Sequence, residues 1–260
     1  MTPVPALTPI CIADDATFWP WRRWPNFSRW ENPASTVVVV PIAGMADWGL
    51  GHAFDAEETV LMHVLRAASR ARPATLPLLV VPPLRFVLGP ATGCAFAVDP
   101  PVAHAFVTDI LSSIAASGFR KIVLYNSSPW NEEFIAAAAR DNRIALGLQI
   151  FRISLSGLGL DLHPTRSSTA TRRKFQTLVT ALTGHAPESP PADAPPAPTP
   201  REWGDETIFP LTEPAVPLSL APAESQATLA DAAQQLASLL GEIHARAPLA
   251  HDGKILPARP

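Results

Sequence analysis

Residues 121–140, KIVLYNSSPWNEEFIAAAAR, decide the fold. KIVLY is a short apolar run of the kind that forms a strand buried on both faces of a parallel sheet. FIAAAAR starts a helix, because alanine loses least on entering one. NSSPWNEE lies between them. Ligands bind in open α/β sheets in the crevice beyond the carboxyl ends of the strands, so this loop is the first place to look for chemistry. Its residues also suit a helix entry, with Asn131 as the cap and Glu132 and Glu133 complementing the positive end of the helix dipole. The two roles are compatible.

Outward from this block the chain alternates. Thr36–Pro41, TVVVVP, is a β-branched run and the first core strand. A Gly-rich loop follows, then a helix over Thr59–Arg72 and a strand over Leu76–Pro82. LRFVLGPATGCAFAVDPP is loop-like, with Gly89 and Gly93 as turn signals. Val102–Ser117 reads as a helix with Gly118 just beyond it. A further strand is expected over Leu146–Ile153, a polar loop over Leu158–Thr171 and a helix over RRKFQTLVTALTG. Strand–helix alternation implies a mostly parallel sheet with right-handed crossovers. Residues 1–35 form an aromatic arm with Trp19, Trp21, Trp24 and Trp30, packed on the same chain or on a second subunit. Residues 36–185 are the α/β core. Residues 186–222 are Pro-rich and exposed. Residues 223–247 carry an amphipathic helix that packs back on the core, and 248–260 are a tail.

Composition bounds the function. Of 260 residues, 47% are hydrophobic and 17% charged, enough for a sizeable core. A net charge of −3 suggests no nucleic-acid surface. Cys11 and Cys94 have neither metal-ligand spacing nor a disulfide framework. The first residues make a poor signal peptide and no apolar run is long enough to span a bilayer, so the expectation is a cytoplasmic protein away from membranes. There is no G-x-S-x-G elbow and no phosphate loop, and GLGHAF is not G-x-G-x-x-G. Arg166, Arg172, Arg173 and Lys174 form either an anion site or a solvated basic face.

Three stretches in order, VVPIAGMADWGLGHAFDAEETVL, SGFRKIVLYNSSPWNEEFIAAAAR and DLHPTRSSTAT, followed by the long C-terminal helix, together resemble the creatininase family. The resemblance implies a three-layer α/β/α fold with a mostly parallel central sheet, often assembled into hexamers, and metal-dependent amidohydrolase chemistry. The family's first loop, E-Q-H-G-P-H-L-P-L-x-T-D, holds divalent metal through its Glu, first His and Asp. Read backwards from the helix, this chain offers Asp47, Gly49, His52 and Glu58 at the Glu, two His and Asp positions. Read forwards from Pro41, Ala46 and Trp48 take the ligand positions, one residue out of step. In the second loop, Asn126 and Asn131 keep the framing asparagines. Ser128 replaces a ligand His, and Trp130 stands where a Glu ligand can occur. In the third loop Asp161, His163 and Thr169 match, and Ser168 replaces an acid.

A hydroxyl is a poor substitute for imidazole on Zn²⁺ or Mn²⁺, and an indole cannot ligate. The sequence therefore reads as a degenerate family member, a non-catalytic subunit or scaffold of an oligomer that includes, in one version, an active creatininase-like paralogue, and it needs no cofactor. One alternative is a divergent amidohydrolase acting on a small cyclic amide or formamide. It would use a single Zn, Mn or Fe held by Asp47, Glu58 and His163, with His52 as a further donor. Another is a protein that binds a small polar ligand in the old pocket. If the Trp130 ring enters the crevice, Asp47 and Glu58 should turn outward or pair with an arginine, because an unpaired buried carboxylate is costly.

Overall fold

The structure is a computed structural model; it describes residues 17–46, 48, 50–88, 97–163, 166–188 and 222–247. In chain order the elements are α1 (Trp24–Ser28), β1 (Val37–Ala43), α2 (Ala56–Ala71), β2 (Leu78–Val80), β3 (Leu84–Arg85), β4 (Val87–Leu88), β5 (Ala97–Val98), α3 (Pro100–Ala116), β6 (Lys121–Asn126), α4 (Glu132–Leu146), β7 (Gln149–Ser154), α5 (Thr169–Thr183) and α6 (Pro222–Ala245).

The central sheet runs β2-β1-β6-β7, all parallel, and β3 pairs with the end of β1 beyond β2. The apolar runs in β1 and β6 become its two middle strands because parallel strands are covered on both faces. Their side chains divide by pleat. Val37, Val39, Val123 and Tyr125 face α2, α5 and α6 through Val60, Leu61, Phe175, Leu178, Leu236 and Leu240. Val38, Val40, Ile122 and Leu124 face α3 and α4 through Val107, Leu111, Ile135 and Ala139. This is the three-layer α/β/α arrangement, with Ile122, Val123 and Leu124 wholly buried.

Several boundaries differ from the sequence reading. Helix α2 starts at Ala56, three residues before the expected Thr59, which takes Glu57 and Glu58 out of the loop and into a first helical turn. The second strand shrinks to three residues. The stretch read as loop after it contributes β3, β4 and β5. Helix α4 runs on to Leu146 and ends at Gly147 in the left-handed region (φ 61°), so β7 starts only at Gln149. In the arm, a 3₁₀ turn over Trp19–Trp21 and α1 lay Trp19, Phe27 and Trp30 around Phe119, with Trp19 5.2 Å from it. That part of the arm packs on its own chain. Residues 1–16, most of the Pro-rich segment and the tail lie outside the described residues.

Helix α6 packs on α2 and α5. Its last turn is tied to the amino ends of the strands: the buried Lys121 donates to the carbonyls of His244 and Arg246. Among the described residues no helix is long and apolar enough to cross a membrane.

Candidate functional site

The carboxyl ends of β1 and β6 lie side by side, Ile42 opposite Asn126, and the loops leaving them are stitched at once. Gly44 N–H donates to Ser127 Oγ (2.9 Å) and Ser127 N–H to the Ile42 carbonyl (3.0 Å). Asn126 braces its own loop, accepting from Ser128 N–H and donating to the Ser128 carbonyl. Asn131, read as the cap of α4, makes no capping bond with its side chain. It reaches across instead, donating to the Phe86 carbonyl (3.0 Å) and accepting from Leu88 N–H (3.0 Å). Both asparagines therefore serve to shape the second loop.

At the centre of the crevice lies Glu57, which the sequence reading did not single out. It is fully buried. A Cβ on Gly44 would fall 2.0 Å from its Oε2 and 2.7 Å from the Cβ of Ser128, so the carboxyl fits only because residue 44 has no side chain. Burial pushes the Glu57 carboxyl up to about 8, against which the nearby Trp48 indole favours the charged form. That N–H makes no bond of good geometry: both Glu57 oxygens and Trp48 Nε1 are buried without a hydrogen-bond partner, as are Ser128 Oγ, Trp130 Nε1 and Tyr125 Oη. Burial also raises the Tyr125 hydroxyl well above its usual range.

Two indoles fill the volume above. Trp48 and Trp130 stack 5.8 Å apart at 12°, and the His163 ring lies 5.4 Å from Trp130 at 53°. Each ring comes from a different loop. Arg172 donates to the Trp48 carbonyl (2.7 Å). Arg166 pairs with Glu132 (2.8 Å) and Asp161 (3.2 Å), and Asp161 accepts from His163 N–H (2.9 Å).

The remaining candidates sit elsewhere. Glu58, expected to turn outward or pair with an arginine, is buried and pairs with Arg85 through two bonds of 2.6 and 2.7 Å. His52 Nε2 lies 3.2 Å from both the Gln176 carbonyl and Thr180 Oγ1, and burial lowers its pKa. Ser168 caps α5, its hydroxyl accepting from Thr171 N–H. Asp47 and Gly49 lie outside the described residues. Among the described residues no three His, Cys, Asp or Glu side chains gather into a group that could hold a metal ion. Among the described residues the surroundings of Glu57 do not fit one either: Trp48 and Ser128 offer an indole and a hydroxyl, where a divalent metal needs several anionic or imidazole donors.

Reading forwards from Pro41 puts Ala46, Trp48 and Glu57 at the Glu, His and Asp positions of the first loop. Glu57 is the acid that crowds Gly44 together with Ser128, and Trp48 the ring that stacks on Trp130. That register, followed to its end, was the signal that could have found Glu57.

A parallel sheet covered on both faces, with loops from three strands meeting over its carboxyl end, defines a three-layer α/β/α protein. The chain belongs to the creatininase family: the family model for creatinine amidohydrolase matches residues 22–196. Solved structures agree on the fold. A creatinine amidohydrolase (creatininase) superposes with a TM-score of 0.62 at 16% identity, covering 90% of this chain and 100% of its own. A Bacteroides fragilis NCTC 9343 protein assigned as a creatinine amidohydrolase gives 0.65 at 13%, covering 91% and 99%. A manganese form of creatininase gives 0.61 at 19%, covering 89% and 100%. A search of curated protein sequences finds no match.

Proposed function

We propose that this chain is a non-catalytic member of the creatininase family, a cytoplasmic subunit or scaffold within a hydrolase-type oligomer. One observation supports the reading: the buried Glu57 carboxyl lies beside Ser128 and the Trp48 indole, which stacks on Trp130, and neither a hydroxyl nor an indole is a good ligand for a divalent metal. Activating water at a metal needs an open coordination position among good donors. The rest of the fold is intact, which suits a protein kept for its surfaces. The aromatic arm of residues 1–35 and the core of residues 36–185 would supply those surfaces, to copies of the chain or to an active paralogue.

Protein purified without chelators tests this by metal analysis, light scattering and assays on small cyclic amides and formamides. The expected outcome is a folded, metal-free protein with no hydrolysis and a mass above the 27.8 kDa monomer, alone or with its relative. Stoichiometric metal together with turnover would overturn it in favour of a divergent amidohydrolase. A second reading, a binding site for a small polar ligand, is favoured by the unpartnered polar atoms around Glu57. It predicts tight, metal-independent binding of such a ligand to the monomer.

A further inference from the structure

We propose that Trp48, Trp130 and His163 form an aromatic clasp that holds the three crevice loops shut over Glu57, taking over the cross-linking role that a metal centre would otherwise have. The inference rests on the metal-free reading above and goes beyond it, because it says what holds the loops instead.

Each ring stands on a different connection: Trp48 after β1, Trp130 after β6 and His163 after β7. The contacts run in series, Trp48 stacked on Trp130 and Trp130 against His163. The two ends of the series are anchored. Arg172, in the second half-turn of α5, donates to the Trp48 carbonyl, and Asp161 accepts from His163 N–H while its own carboxylate pairs with Arg166. Arg166 then reaches Glu132 at the start of α4, which closes the third loop back on the second. The rings, hydrogen bonds and ion pairs together tie three loops and two helix starts into one circuit of contacts.

What lies beneath explains why the circuit must stay shut. Glu57, Ser128 and Trp48 present buried polar atoms with no protein partner. Burying such atoms without partners costs free energy that opening to water would recover, so the ring contacts have to hold the loops closed against that cost. Metal ligation would tie loop order to metal binding. A packed aromatic series ties it to ring contact, which is insensitive to chelators and sensitive to the loss of one ring.

Hydrogen exchange on the full chain tests this with Trp130→Phe, Trp130→Ala and wild type, each with and without a chelator. Trp130→Phe retains a ring and should exchange like wild type. Trp130→Ala should speed amide exchange about tenfold or more in all three loops, around 45–50, 127–131 and 160–163. It should also lower Tm by roughly 5–10 °C. If Trp130→Ala does not fold, Trp130→Leu, which keeps apolar bulk without the ring, replaces it in the same measurement. Faster exchange confined to 127–131 would overturn the clasp while leaving the metal-free reading intact. Loops that open in wild type on adding chelator would overturn both.

Discussion

Glu57 occupies the space that a side chain on Gly44 would need, its Oε2 lying 2.0 Å from where a Cβ would stand. Neither can move cheaply, since Gly44 follows directly on β1, where its N–H bonds Ser127, and Glu57 is packed under Trp48. Gly44→Ala should therefore destabilise the fold by about 1–3 kcal/mol, the usual cost of overpacking. Adding Glu57→Ala should return part of that loss, because the two positions share one volume. Denaturant unfolding of the four proteins in the cycle measures the coupling, and strictly additive changes would show that the contact carries no energy.

The Glu57 carboxyl is held up to about 8 by burial, against an ordinary value of 4.5. The sign follows from linkage. Below pH 4.5 it is protonated in both states. As pH rises from there to about 8, the unfolded chain ionises and the folded one does not, so its contribution to stability is lost across that window and then levels off. Glu57→Gln cannot ionise. Wild-type stability relative to Glu57→Gln should fall with rising pH, with a slope approaching about 1.4 kcal/mol per pH unit inside the window. Parallel stability curves for the two proteins would show that the carboxyl is not sealed from water.

The sheet was legible because TVVVVP and KIVLY are short, β-branched-rich apolar runs that suit a doubly covered parallel strand, and the alternation around them left few topologies. The start of α2 was not. DAEE reads as exposed loop because acids are seldom buried, yet here Glu58 finds Arg85, which lies 27 positions on. Asn131 reads as a cap from its local sequence. Its partners Phe86 and Leu88 are more than 40 residues away, and nothing local reveals them. Trp130 and His163 could be placed in the site from their loops. Glu57 and Glu58 each fit one of the two registers of the first loop, and it took the backbone to show that Glu57 is the acid that crowds Gly44 together with Ser128.

Glu58 is almost fully buried, whereas Arg85 is 42% exposed on its side chain. Arg85→Ala would leave a buried carboxylate without its bidentate partner and should cost about 2–3 kcal/mol, less than a fully buried pair because solvent screens the arginine side. Replacing both residues by methionine should restore most of the loss, since paired apolar groups need no desolvation. Urea titration of the single and double variants checks this; equal stability of Arg85→Ala and wild type would mean water already solvates Glu58.

Lys121 buries its ammonium against the last carbonyls of α6, where cations complement the helix dipole. Lys121→Met keeps the apolar stem and removes the donor. It should cost about 1–3 kcal/mol and speed amide exchange in the last turn of α6 before the rest of the helix. Unchanged protection there would assign the anchoring to Gln149, which donates to the Ala247 carbonyl, and to His244 against the Ser35 carbonyl.

If the crevice lacks metal because its donors have been replaced, restoring donors beside Glu57 should bring metal back. Trp48 and Ser128 flank the carboxyl, and removing the Trp48 indole admits water to it. The Trp48→His, Ser128→His variant then sets two imidazoles beside one carboxylate, the donor set of an open zinc site. It should bind Zn²⁺ or Co²⁺ at one ion per chain. Binding should release protons, because Glu57 must ionise to ligate. Wild type should show neither effect. Calorimetry in buffers of different ionisation enthalpy counts the protons, and the Co²⁺ visible spectrum reports the coordination. Circular dichroism must first show that the variant folds. A folded variant that binds no metal, or one whose binding survives Glu57→Gln, would mean that these three side chains do not converge on one point.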